Sequence, residues 1–327
     1  MRVLVTGASA PIGLALVDRL ASEPTIDHVL AVGLEPEPPR ELVRAPHVTY
    51  AGLDLTKARA VHDLLFGQGR ALGIDAVVHG PLHRSARDRG HRVHLANVEL
   101  ARQLVIECER QPAIRRFVYR GVGDVYAVRE TEPNLLDEDA PFELDPSLPQ
   151  WIRDRVEADL TTCAHLGSAR LSIAILRCAE VLAAGTGSQL WDYLQSRVCL
   201  RPLGFDPMIN VLSIEDQITA IVLALRSDAK GAFNIPGADT LPLSRIIALA
   251  GRLEIPVPGP LLAPLYHLRT RTVGLEFRYD LNLRRFHFGG MLEGSRARER
   301  LGYVPSAPLW PHAPQSADRT TSVAIGA

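Results

Sequence analysis

Two glycines six residues apart, Gly7 and Gly13, stand where a short apolar run (Val3, Leu4, Val5) gives way to a helical pattern of Ile12, Leu16, Val17 and Leu20. A buried strand, a glycine turn and a helix start in that order aim free backbone N–H groups and the positive helix end at one point. The chemistry that suits such a point is pyrophosphate binding, with Gly7, Ala10, Pro11, Ile12 and Gly13 as the cradle. A tight turn alone would need the same glycines; the strand before and the helix after favour the cradle. Glu35 lies 22 residues after Gly13, at the end of a second apolar run over 27–35. An acid there can accept hydrogen bonds from the adenosine ribose hydroxyls of NAD and repels the extra phosphate of NADP. The next residue is Pro36, with no adjacent arginine to receive that phosphate, so NAD is favoured over NADP. Without a ligand, Glu35 reads as a solvated acid opening a loop.

The elements that would hold these residues follow in order. Residues 47–50 and 75–80 read as the third and fourth strands, with a helix between them that turns Ala60, Val61, Leu64 and Leu65 inward. A second helix, with Leu100, Leu104, Val105 and Cys108 inward, leads to a fifth strand at 116–119. Five alternations of strand and helix in about 120 residues imply an α/β fold with a doubly wound parallel sheet. A sixth strand reads over 171–177, and Ser213 caps a helix carrying Asp216 in its first turn. Two arginine-rich stretches, 84–92 and 269–285, read either as basic lips for an anionic ligand or as solvated surface.

The loop Thr6-Gly7-x-x-Ala10-x-x-Gly13, together with Val125-Tyr126, Leu176-Arg177, the Ser213–Asp216 helix start and the stretch from Gly290 to Pro305, resembles the extended short-chain dehydrogenase/reductases, the NAD-dependent epimerase/dehydratase family. The resemblance spans roughly residues 2 to 305 and implies a Rossmann domain over 1–177. A mostly substrate-binding lobe would follow over 178–305, interleaved with Rossmann segments at about 205–237. It also implies contacts to the cofactor from Asp54 and Leu55 (the adenine end), from His79 and Gly80 at the exit of the fourth strand, and from Asn97. Ala10 replaces the family's middle glycine, and its methyl is expected to weaken cofactor binding.

The catalytic positions depart from the family. Its Ser or Thr falls on Val122, its Tyr on Trp151 and its Lys on Arg155, and no tyrosine stands between Tyr126 and Tyr193. An indole N–H exchanges no proton near neutrality, whereas Arg155 keeps a charge that can hold a ribose or phosphate. Hydride transfer to a carbonyl needs a donor for the developing alkoxide. Asp124, aligned with the acid of the family's Asp-Glu pair in sugar-nucleotide dehydratases, and Tyr126 are the substitute candidates. Two readings stand: an epimerase, dehydratase or reductase acting on a nucleotide sugar or similar anionic metabolite by rewired acid/base chemistry, and a dinucleotide-binding sensor or partner protein without turnover.

Composition bounds the rest. The chain has 327 residues, 46% hydrophobic and 22% charged, with a formal net charge of -1. That balance supports a packed core and gives no general attraction to nucleic acid. Cys108, Cys163, Cys178 and Cys199 are far apart, so neither a disulfide framework nor a metal site is expected. The absence of a long apolar run implies no membrane span, and the first strand's start at residue 2 leaves no room for a signal peptide; a cytoplasmic protein follows. By analogy with the family, helices near 97–110 and 151–165 would pair two copies into a homodimer. Residues 306–327 read as a disordered tail.

Overall fold

A computed structural model of the chain describes residues 1–80, 85–272, 274 and 276–310. Strands β1 (Arg2–Thr6), β2 (His28–Gly33), β3 (Val48–Gly52), β4 (Ala76–His79) and β5 (Arg116–Val122) join strands Ser172–Cys178 and Gly231–Ile235 in one seven-stranded sheet. Its order is Gly231–Ile235, Ser172–Cys178, β5, β4, β1, β2, β3, and every neighbouring pair is parallel. The order reverses direction at β1, the place where doubly wound sheets open a crevice for a ligand.

Helices cover both faces, so the strand centres are apolar runs rather than alternating patterns. Leu16, Val17 and Leu20 of helix Pro11–Ala21 and Ile218 and Ile221 of helix Ile214–Arg226 share one core with Val3, Val5 and Val118. On the other face, Leu100, Leu104 and Val105 pack with Leu4, Val77 and Phe117. The helices over 60–71 and 91–110 each contain one wide turn, at Leu64–Gln68 and Leu95–Glu99. Asn97 therefore lies inside a helix that begins at His91, not at its start.

A second core gathers Tyr193, Tyr266, Phe277 and Phe286 beneath the parallel pair Val198–Pro202 and Leu253–Val257. Strand Met208–Leu212 lies between Asp239–Pro242 and Glu180–Val181. The chain returns to the large sheet through Ile214–Arg226 and Gly231–Ile235, which interleaves the two cores. Ser213 caps the first of these segments by accepting the Asp216 N–H at 3.0 Å. Asp216 in turn accepts from the Ser306 and Ala307 amides, and Asp239 from Leu309 N, so residues 306–310 are held, and 311–327 lie outside the described residues.

One buried network joins the parts. Arg177 donates to Asp159 through Nε at 3.1 Å and Nη2 at 2.8 Å, and through Nη1 to Tyr126 Oη at 2.8 Å and the Glu138 carbonyl at 3.1 Å. Tyr126 Oη donates to Asn234 Oδ1 at 2.7 Å. Among the described residues, no helix is long and apolar enough to cross a membrane.

Candidate functional site

The loop after β1 is built on backbone contact. Gly7 has φ of +69°, which favours glycine. A Cβ on Gly13 would lie 2.2 Å from the Gly7 carbonyl oxygen and 2.8 Å from Ala8 Cα, so the helix start can approach the turn only without a side chain. Ala10 is the N-cap and Pro11 the first helical residue. The amides of Ile12 and Gly13 head the helix without an intrahelical acceptor, as first-turn amides do. Gly7, Ala10, Pro11, Ile12 and Gly13 all line one crevice, closed on its far side by Gly80, Arg120, Gly185 and Thr186. Ser9 Oγ is buried with no hydrogen-bond partner and lies outside this crevice, beside Gly33 at the end of β2. The open amides and the glycine-only approach fit a dinucleotide's phosphates.

The adenosine end is defined less tightly. Glu35 is exposed beyond β2, and its carbonyl accepts the Tyr50 hydroxyl at 2.7 Å. Asp54 is turned to its own loop, where Oδ1 accepts Thr56 N at 3.1 Å and Thr56 Oγ1 at 2.6 Å; these bonds, the hydroxyl's first, hold the carboxyl below its ordinary range. Leu55 is buried in the core. Asn97 is also buried, and its side-chain nitrogen donates to the Val93 carbonyl at 2.7 Å.

At the exit of β4, His79 is fully buried, with Nδ1 2.8 Å from Thr6 Oγ1. Burial first, then the Arg120 charge, pushes its pKa down to about 3, so it stays neutral at physiological pH. Gly80 lies beneath Arg120, whose Nη2 and Nε donate to the Gly80 carbonyl at 2.6 Å and 3.2 Å. Arg120 is 7% exposed and has no carboxylate within salt-bridge distance among the described residues.

The charged centre lies beyond Arg120. Asp124 follows β5 and is clamped between two guanidinium groups, Arg155 on one oxygen and Arg285 on the other. Arg155 is buried and stacks 3.8 Å over the Trp151 ring, one turn earlier on helix Gln150–Cys163. Glu180 Oε2 lies 3.6 Å from Arg285, while Oε1 accepts from Ser188 Oγ and Leu190 N, each at 2.9 Å. Burial first, then the Asp124 charge, raises the Glu180 carboxyl above its ordinary value, against the pull of Arg285. Val122, Asp124, Arg155, Cys178, Glu180 and Gln217 line this part of the crevice, and Arg120 and Thr186 line both parts.

The structure does not bring Tyr126 here: it lies in the Arg177 network, with burial first pushing its phenol up to about 12. The arginine-rich stretches divide. Arg285 reaches Asp124, Arg284 pairs with Glu143, and Arg278 pairs with Asp280. Arg87 pairs with Glu276, and Arg84 lies outside the described residues. Among the described residues, no group of three or more His, Cys, Asp or Glu side chains could hold a metal ion.

The NAD dependent epimerase/dehydratase family profile matches residues 3–235. The chain belongs to that family. Among relatives of this family member, an uncharacterized protein of Mycobacterium tuberculosis is 29% identical over 310 residues, covering 93% of this chain and 80% of its own length. The 3-diazoavenalumate denitrifying reductase of a Streptomyces species is 26% identical over 334 residues, 95% of this chain and 98% of that one. Among solved structures, UDP-glucuronic acid 4-epimerase from Bacillus cereus, in complex with UDP-glucuronic acid and NAD, has a TM-score of 0.69 at 17% identity. The match covers 94% of this chain and 95% of that one. UDP-glucose 4-epimerase from Thermotoga maritima gives 0.69 at 14% identity, over 94% and 95%. These similarities establish the shared fold.

Three members of the site have little sequence signal. Arg120 stands in a strand and reads as part of its run. Gln217 reads as a polar face of an amphipathic helix. Glu180 reads as loop, although its place directly after strand Ser172–Cys178, on the carboxyl side of the sheet, is the available signal.

Proposed function

We propose that the protein binds NAD with the pyrophosphate against Gly7–Gly13 and acts as an oxidoreductase of the epimerase, dehydratase or reductase kind on an anionic small molecule. Its proton is handled by the Asp124–Glu180 carboxylates rather than by a tyrosine. The observation that carries this reading is Asp124 shared between Arg155 and Arg285, with Glu180 alongside. Two guanidinium groups face two carboxylates. Because Glu180 favours its protonated form more than an ordinary glutamate does, a proton there leaves the cluster with one excess positive charge. That charge suits an anionic substrate, and the same proton can be delivered to an oxygen that becomes negative in the reaction. Arg155 and Arg285, one on each carboxylate oxygen, hold Asp124 in its orientation. The nicotinamide, when bound, supplies or accepts the hydride. A nucleotide sugar is the substrate class favoured, given the UDP-glucuronic acid bound in the Bacillus cereus relative, and the Streptomyces reductase supports reductive chemistry.

The test is NAD binding by calorimetry, followed by NADH absorbance with a panel of UDP-sugars and aromatic acids. Glu180→Gln is expected to leave NAD affinity unchanged and lower turnover by about 10²-fold. Full turnover in both Glu180→Gln and Asp124→Asn would remove this assignment. Binding without turnover across the panel selects the second reading, a dinucleotide-binding protein, which Val122, Trp151 and Arg155 at the family's Ser, Tyr and Lys positions favour.

A further inference from the structure

Gln217, in the first turn of helix Ile214–Arg226, is fully buried, and neither its amide oxygen nor its amide nitrogen has a hydrogen-bond partner. Leaving both ends of an amide unsatisfied is costly, and such groups in folded proteins call for an explanation. Its polar neighbour is the Cys178 thiol, which Arg120 also approaches and whose own hydrogen is directed to the Leu176 carbonyl at 3.5 Å. A weak sulfur contact does not satisfy a planar amide that has two strong sites.

The placement of Gln217 says what could. It lines the part of the crevice that holds Asp124 and Glu180. Arg120 and Thr186 line both that part and the phosphate crevice, so a ligand running from the Gly7–Gly13 loop to Gln217 passes between them. A side-chain amide offers one face of N–H and C=O. Another primary amide pairs with both at once, whereas a hydroxyl or carboxylate leaves one end poorly matched.

We propose that Gln217 is the recognition residue for a primary carboxamide, that of the nicotinamide ring, at the inner end of the crevice. The inference rests on the dinucleotide reading above and assigns the residue that identifies the cofactor's reactive half. It makes Gln217 a binding residue and gives it no proton to transfer.

Calorimetry with NAD, with nicotinic acid adenine dinucleotide and with ADP-ribose, on the full chain and on Gln217→Leu and Gln217→Met, tests it. The two variants should lose about tenfold or more in NAD affinity and keep that for ADP-ribose, which lacks the ring. Because Arg120 stands close enough to help a carboxylate, the decisive quantity is the NAD-to-nicotinic-acid preference, which should fall in both variants. Unliganded Gln217→Leu should melt at or above the temperature of the unmodified protein, since an orphaned amide has been removed. The inference is overturned if both variants bind NAD within twofold of the unmodified protein, or if ADP-ribose affinity falls in step with NAD. If the unmodified protein binds neither NAD nor ADP-ribose, the dinucleotide reading fails and takes this inference with it. Retained ADP-ribose and NAD binding with no dependence on residue 217 sinks the inference alone.

Discussion

Replacing Asp159 by leucine would strand the Arg177 guanidinium inside the protein. Arg177 is 2% exposed and Asp159 fully buried. The pair exchanges two charge-assisted bonds, at 3.1 Å and 2.8 Å, and the neighbouring Cys163 thiol, 3.5 Å from Arg177, carries no charge to replace the carboxylate. Removing one member of a buried pair leaves an uncompensated charge and costs about 3–5 kcal/mol, whereas removing both with apolar residues of similar size is often near neutral. Asp159→Leu and Arg177→Met should therefore each be strongly destabilising in urea unfolding. The double variant should cost at least about 1 kcal/mol less than the sum of the two. The melting temperature should fall by roughly 2–4 °C for each kcal/mol lost. The double variant still frees the Glu138 carbonyl and one side of Tyr126 Oη, so full recovery is not expected. Additive single costs, or a loss under about 1 kcal/mol for Asp159→Leu, would refute the account. The site should feel the change as well, because Arg177 directly precedes the Cys178–Glu180 wall of the crevice and its partner Tyr126 follows Asp124.

Gly13→Ala should abolish dinucleotide binding in a thermal-shift assay, because its Cβ would meet backbone at 2.2 Å and no side chain can move aside; NAD affinity within twofold of the parent would contradict this. His79 has a folded pKa near 3, below the ordinary 6.5, so the unfolded chain binds the extra proton between these values and stability falls as pH falls. Its contribution to the slope approaches about 1.4 kcal/mol per pH unit, and His79→Leu should flatten the acid limb of the stability curve by that amount. Glu35→Ala should weaken NAD binding more than NADP binding by calorimetry; equal losses would remove the carboxylate's part in cofactor choice.

The large sheet was legible because strands covered on both faces carry continuous apolar runs, even though Arg120 and Arg177 enter near the carboxyl ends of two of them. Val3–Val5 and the run ending at Val32 carry that signature without ambiguity. The early start that puts Asn97 inside a helix was not legible, since the first turn, His91–His94, buries no side chain and so carries no apolar pattern. The phosphate loop could be read from Gly7 and Gly13, because glycine there answers a local steric demand. The charged centre could be read only in part: Asp124 and Arg155 stood out at or beside the family's catalytic positions, but their partner did not. Arg285 comes to Asp124 from the far end of the chain, and only the folded second core decides which arginine of the 269–285 stretch arrives. Tyr126 had a local alignment in its favour, yet a long-range partner, Arg177, directs its phenol elsewhere. Arg120 could be seen as an arginine in a strand, but its lie across the Gly80 carbonyl depends on the absence of a side chain at Gly80.

The stacking of Arg155 on Trp151 gives the protein a built-in optical reporter. Indole emission responds to a cation held against the ring, and this one is 3.8 Å away and tied to Asp124. Any guest that draws Arg155 off its perch must change the colour or brightness of Trp151. Arrival at the charged centre can then be followed by light alone.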